Sequence, residues 1–415
     1  MILGRHTLIL ISLLTLLAAK GTWDVTGSTH IENESFLSQT PLKHDQALTA
    51  KQKLEVSFEE GDFKLFTKLY AQGDADDTKG VADETKRSFA RVDEWYISQE
   101  FSEGTQKVLF GKKIRHWGAL EARNITDVFN PLDLRNSSSS KDKLGVWNSQ
   151  YSYFTDSGEF SLIIKHFEQD QKISANPYTY YFLPTNITFD ESIQTEKERH
   201  YPSSYISYSA STEWDKPLDY AFVVQHGYDS QKYFTVKNPS PTVLQANTYL
   251  VNKFLSYNTL VVGATLLKLE VAVTDVIDDR IVSDYMHTGI GFEHEVAAFL
   301  SKEGKLGIIG EYYYYEIFDQ SKLTDLDLYE VFQNDLFLGL RYTFNDADDS
   351  SFLAGAVVDN EYDEAAYSAK YETRLRGGFK IEGEYQYIEP SRTTNTAYAT
   401  VGRTQSVRLD LSYNY

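Results

Sequence analysis

The 415-residue chain has no cysteine, two methionines and nine prolines. Without cysteine there is no disulfide framework, no thiolate zinc site and no thiol nucleophile. Positive charge is also scarce. Sixty acids against 40 bases give a net charge of −20, which argues against a nucleic-acid binder, whose footprint is basic. Long apolar runs are missing. Beyond residue 21 the best candidate, 259–267, falls far short of the roughly 18 residues a spanning helix needs. Few prolines and a hydrophobic share of 41% exclude disorder. What the chain has in quantity is aromatic rings, 30 Tyr, 24 Phe and 5 Trp, at a mean hydropathy of −0.41.

Residues 1–21 read as an export signal. Arg5 supplies the positive start, 7–17 is an apolar stretch too short to span, and small residues follow. Ala19 and Gly21 suit a signal-peptidase site before Thr22, with cleavage after Ala19 the alternative. Removal takes away Arg5 and Lys20 and leaves 60 acids against 38 bases, or −22. The remainder, 22–415, is then either a protein soluble outside the cytoplasm or a membrane β-barrel, whose hydropathy signal is weak.

The ends of the mature chain favour the barrel. Val407, Leu409, Leu411, Tyr413 and Tyr415 alternate with Arg408, Asp410, Ser412 and Asn414, and Trp23, Val25, Gly27, Thr29 and Ile31 alternate with polar residues. A period of two puts one face in an apolar medium and the other in water. Terminal strands of one type can pair and close a sheet. The same alternation predicts about eighteen strands, with sixteen as the alternative. Turn signals such as Gly61-Asp62, Ser102-Glu103-Gly104, Asp156-Ser157-Gly158 and Gly377-Gly378 separate them. The weakest boundary is near Leu266, where no Gly or Asn marks a turn. Long connections (35–52, 73–87, 114–144, 169–202, 229–253, 276–284, 318–332, 389–403) alternate with short ones, and 360–365 is the exception. Transmembrane barrels show this asymmetry between extracellular loops and periplasmic turns. The expected fold is therefore an all-β, transmembrane, antiparallel barrel in a single domain, wide enough to leave an aqueous channel.

Two segments carry a family resemblance. A last strand ending in an aromatic resembles the C-terminal insertion signal of bacterial outer-membrane barrels, with Tyr413 and Tyr415 here and Tyr in place of the usual final Phe. Within 110–135, Gly111-Lys112, Trp117-Gly118, Thr126-Asp127, Asn130-Pro131 and Asp133 resemble a segment of porin-like Gram-negative outer-membrane proteins, similar in type to alginate-export and other substrate-specific porins. The resemblance implies a transport or channel role in the outer membrane for small hydrophilic solutes. It implies as partners the barrel-assembly machinery, periplasmic chaperones, outer-membrane lipid and lipopolysaccharide. It also implies that 114–144 folds into the barrel and narrows it.

Within that loop Trp117-Gly118 would pack a ring at a sharp turn, and Asn130-Pro131 would make a turn whose flanking amides Asp127 and Asp133 cap. Lys112, Lys113, Arg115, His116, Arg123, Arg135, Lys141 and Lys143 face only Glu121, Asp127, Asp133 and Asp142. Such a local excess of bases favours anions, with Lys113, Arg115, His116, Arg123 and Arg135 as the expected solute contacts. The competing account pairs these bases with lumen acids such as Asp93 or Glu94, or with lipid phosphate.

Other chemistry finds little support. The acidic clusters at Asp74/Asp76/Asp77, Asp278/Asp279 and Asp346/Asp348/Asp349 lack the spacing of a calcium loop. There is no HExxH, no Walker loop and no GxSxG. His226 with Asp229 is the best catalytic-looking pair. The expectation is no enzyme, no cofactor and no metal. A structural, adhesion or assembly barrel and, more remotely, a barrel hydrolase are the alternatives to a porin.

Overall fold

The computed structural model describes residues 21–39, 45–75, 77, 87–136, 142–170, 172–174, 187–237, 240, 242–277, 281–319, 330, 332–392 and 396–415. Apart from Gly21, the segment 1–21 read as an export signal lies outside the described residues.

Eighteen antiparallel strands form one closed sheet. They are β1 (Thr22–Gln39), β2 (Gln46–Glu60), β3 (Phe63–Asp74), β4 (Phe89–Phe101), β5 (Gln106–Lys113) and β6 (Val146–Thr155). Then follow β7 (Gly158–Lys165), β8 (Ser203–Ser211), β9 (Leu218–Tyr228), β10 (Leu250–Val262), β11 (Thr265–Val276) and β12 (Tyr285–Ala297). The last are β13 (Lys305–Ile317), β14 (Asn334–Thr343), β15 (Ser351–Asp359), β16 (Ala365–Arg374), β17 (Phe379–Glu389) and β18 (Thr404–Asn414). Each pairs with its sequence neighbours, and β18 pairs with β1 from Ser28↔Asn414 to Gln39↔Thr404. Closure gives the strand backbone its partners within the protein, the condition for a sheet in hydrocarbon.

The alternation is realised as two faces. Leu336, Leu338, Leu340, Leu409 and Leu411 stand exposed outside, whereas Asp335, Phe337 and Ser412 on the same strands are buried inside. The four-tyrosine run splits as its parity requires: Tyr312 and Tyr314 point out, and Tyr313 and Tyr315 are buried within. Tyr413 and Tyr415 are outside, their rings stacked at 6.0 Å.

Two boundaries differ from the expectation. The first connection is shorter, because β1 and β2 remain paired up to Ser35↔Gln46 and β1 runs on to Gln39. The turn between β10 and β11 lies at Gly263-Ala264 rather than at Leu266. Gly263 adopts φ 60°, which closes the hairpin directly beyond Val262↔Thr265. The longer connections cluster at one rim. One of them, 390–403, carries a short helix, Ala397–Val401, capped by Thr396. Two others form the strands Thr188–Thr195, Tyr233–Val236 and Val243–Thr248, a small separate sheet.

Candidate functional site

Over its described residues, 114–136 and 142–145, the connection between β5 and β6 lies inside the barrel. Its roots are held by Asn130, whose Nδ2 donates to the Lys113 and Leu144 carbonyls at 3.0 and 2.8 Å and whose Oδ1 accepts from the Arg115 amide at 2.8 Å. One buried side chain thus fixes both ends of the loop. Beyond it, Trp117 and Phe129 pack on Tyr205 of β8 at 5.7 and 5.1 Å, in a cluster with Ile163, Val223, Leu255 and Ala272 on β7, β9, β10 and β11. Gly118 takes φ 137°, and a Cβ there would lie 2.5–2.7 Å from the Asn124 side chain, so the turn after Trp117 requires glycine.

Two lumen-facing carboxylates receive the tip. Glu270 of β11, fully buried, accepts from the Ala119 and Leu120 amides at 2.6 and 2.9 Å and from the Thr126 amide and hydroxyl at 3.0 and 3.1 Å. Glu311 of β13 accepts from the Glu121 and Ala122 amides at 2.6 and 2.9 Å, and the Tyr313 hydroxyl accepts from the Arg123 amide at 3.0 Å. Leu120 lies between them, over Gly289 and Gly291 of β12, where an added Cβ would come within 2.5 and 3.0 Å of its methyl carbons. Charge-assisted bonds to backbone amides are strong and directional. The loop is therefore fastened to the wall by its backbone, and its lining side chains can vary without loss of the fastening.

The predicted motif residues fall as follows. Trp117, Gly118 and Asn130 act as described. Asp133 accepts from the Arg135 amide at 3.2 Å and binds the Arg135 guanidinium at 2.9 and 2.7 Å, with Arg91 on the same carboxylate. Asp127 does not cap the turn. It forms an ion pair with Lys143, which also donates to the Arg115 carbonyl at 2.8 Å and lies 3.0 Å from His116 Nδ1. The Pro131 carbonyl accepts from the Leu144 amide at 2.9 Å.

The five expected solute contacts are not equivalent. Arg135 is buried over the Phe89 ring and committed to Asp133. Arg115 is buried, its Nη2 bound to Asn148 and Gln150 at 2.8 and 2.6 Å. Burial lowers its pKa to about 10, still far above neutral pH. Both belong to the loop's framework, because buried guanidinium groups are stable only with such partners. Burial and the Lys143 ammonium hold His116 below its ordinary value, so it adds no charge at neutral pH. Lys113 points inward over the Tyr96 ring at 4.6 Å and has no ion pair among the described residues. Arg123 is half-buried, with Glu330 3.9 Å away.

Burial raises the Asp133 carboxyl, but the hydrogen bonds and charge of Arg135, with Arg91, outweigh it and hold the group below its ordinary 3.8. Its contribution to loop order is therefore complete above 3.8 and is lost as pH falls through the lower folded value. Limited proteolysis of the loop by pepsin is expected to accelerate only in that acidic window. The Asp133→Asn variant should be cleaved equally across it, and an unchanged pH profile in the variant would refute the assignment.

The wall left uncovered by the loop is polar and internally paired. Arg341 bridges Glu121 of the loop and Glu293 of β12. Lys370 meets Glu382 at 2.9 Å, Lys380 meets Glu372 at 3.0 Å and Lys51 meets Glu32 at 2.7 Å. Arg408 binds Glu384, and Lys68 meets Glu55 at 2.6 Å.

Solved barrels share this fold. Acinetobacter baumannii OccAB4 aligns with a TM-score of 0.56 at 11% identity, covering 95% of this chain and 99% of its own. Pseudomonas aeruginosa OccK8 (OprE) gives 0.54 at 8%, covering 95% and 98%, and P. aeruginosa OccD3 (OpdP) gives 0.54 at 11%, covering 96% and 93%. No protein-family model and no curated protein matches the sequence.

His226 and Asp229 do not form a pair. His226 is exposed and bonded to Tyr201 and Asn252, whereas Asp229 is buried against Lys253 at 2.7 Å and Tyr285. Glu270, Glu311, Gly289 and Gly291 carry the loop yet were not singled out from sequence. Their trace is a local loss of alternation: Val223, Leu255 and Ile309 are apolar at inward positions, which marks wall that something covers.

Proposed function

We propose that the chain is an outer-membrane channel through which small hydrophilic solutes diffuse, with anions preferred, after removal of the export signal. The observation that carries this is the loop 114–145 docked by its backbone on Glu270 and Glu311, opposite a wall of hydrophilic, ion-paired side chains. A structural or adhesion barrel has no need of a partition built inside it. The outward apolar face suits lipid and the acyl chains of lipopolysaccharide. The anion preference rests on Lys113 and Arg123, the two expected contacts whose charge is not absorbed by the loop itself.

Reconstitution into planar bilayers tests both parts. Discrete conductance steps are expected, with a reversal potential in a KCl gradient displaced toward chloride and the displacement reduced in Lys113→Gln. Absence of conductance would remove the channel reading, and a displacement toward potassium would remove the anion preference alone.

A further inference from the structure

At the long-loop end of β14 and β15 the lumen face brings two carboxylates together. Asp335 and Asp359 are direct cross-strand partners, and both are buried. Side chains so placed have Cβ atoms about 4.5–5.5 Å apart. Like charges in that position destabilise a sheet, and among the described residues neither carboxylate has an ion-pair partner.

The polar atoms nearby are short of donors. Asp359 Oδ1 accepts from the Glu361 and Tyr362 amides at 2.6 and 2.7 Å, the pattern that favours an ionised carboxylate. Its Oδ2 accepts from the Gln333 amide nitrogen. Asp335 Oδ2 accepts from the Asn334 amide at 3.1 Å. Two acceptors remain, Asp335 Oδ1 and Gln333 Oε1, both buried and without a hydrogen-bond partner among the described residues. Gln333 is bound to Asp359, so its orphaned oxygen belongs to the same group of atoms as the two aspartates. A proton held on Asp335 would ease the repulsion by removing one of the two charges. A cation would neutralise the pair with both aspartates ionised.

We infer that Asp335, Asp359 and Gln333 form a binding site for a divalent cation of the Ca²⁺ type. The donors are hard oxygens, as calcium requires, and water would complete the shell. The set is two carboxylates and an amide; among the described residues no three acids or histidines converge as a metal cluster. The position gives the ion a role. Gln333 ends the connection 318–333, Asp359 opens 360–364, and Glu364 accepts from Ser391 and Thr396 of 390–403 at 3.3 and 2.5 Å. A cation here would staple the connections 318–333 and 360–364 at one rim, the second of them tied to 390–403 through Glu364, whether or not the barrel conducts.

The test uses the full-length barrel in detergent, stripped with chelator and titrated with CaCl₂. Calorimetry should give one saturable site, and the heat-induced gel-mobility transition should rise with calcium concentration, as it does for any ligand of the folded state. Asp335→Asn should abolish both responses while exposed acids such as Asp346 still contribute weak background binding. Should that variant fold poorly, Gln333→Met keeps both carboxylates and is expected to weaken binding about tenfold or more. Identical calcium responses in the wild type and a folded Asp335→Asn would overturn the site. A wild-type transition that moves with pH and not with calcium would overturn it in favour of a proton held on Asp335.

Discussion

Replacing Glu270 with alanine is expected to release the loop tip at 119–126 from the barrel wall and raise single-channel conductance, with added current noise. The variant removes the acceptor of three backbone amides and one hydroxyl at a fully buried position. Each buried donor left unsatisfied costs about 1–3 kcal/mol. The loop can recover that only by moving its amides to water, which means leaving the wall. Glu311→Ala should act in the same direction with a smaller effect, since the Tyr313 hydroxyl still holds the Arg123 amide. The double variant should leave the apolar anchor of Trp117 and Phe129 in place, so the freed part is the tip at 119–126. The barrel itself should persist, because its strands are paired through their own backbones. A gel-mobility assay reads the barrel, proteolysis within 119–126 reads the tip, and bilayer recordings read the pore. Unchanged conductance together with unchanged cleavage in the double variant would show that the latch does not hold the loop. Gly289→Leu reaches the same state from the other side by filling the seat of Leu120, and should reproduce the phenotype with both carboxylates intact.

The strands were legible in the sequence because a closed barrel leaves each residue only two environments, the outer face and the lumen. Val407 to Tyr415 and Trp23 to Ile31 show the rule at both ends, and the structure pairs those two segments. The loop 114–145 was legible by its length and by Trp117-Gly118 and Asn130-Pro131, whose local geometry needs those residue types. Its fastening was not. An inward acid such as Glu270 looks the same in sequence whether it faces water or receives an amide, and the deciding partners are 144 and more positions away. The partners of the basic residues were hidden for a related reason. Charge counted along a segment does not reveal that Arg135 folds back on Asp133 two residues away, or that Arg115 is enclosed by Asn148 and Gln150. The turn at Gly263 was missed because apolar residues on both sides hid the change of direction that a single left-handed residue supplies.

Gly27→Val is expected to prevent proper closure of the barrel, with loss of the heat-modifiable folded form. The seam between β1 and β18 ends in a reciprocal pair: the Gly27 amide donates to the Tyr415 carbonyl and the Tyr415 amide donates to the Gly27 carbonyl, each at 3.0 Å. The Tyr415 ring lies across the bare Gly27 on the outer face. A Cβ there would fall 2.6 Å from its hydroxyl oxygen, 2.7 Å from Cζ and 2.9 Å from the Lys53 carbonyl. The carbonyl is backbone and cannot turn aside. The ring can, but only by giving up the hydrogen bond from Gln52 Nε2 at 2.7 Å and its stacking on Tyr413. Overpacking costs about 1–3 kcal/mol and each seam hydrogen bond about 0.5–1.5 kcal/mol. The open edge that results is one that hydrocarbon does not tolerate. A double-mutant cycle with Tyr415→Ala separates two roles for the terminal aromatic. If its part is to fit Gly27, the second change should recover much of the yield lost by Gly27→Val. If it serves mainly as an insertion signal, Tyr415→Ala alone should lower the yield and the double variant should be worse than either. Wild-type yield and thermal transition in Gly27→Val would show that the seam tolerates a side chain and that the glycine is incidental.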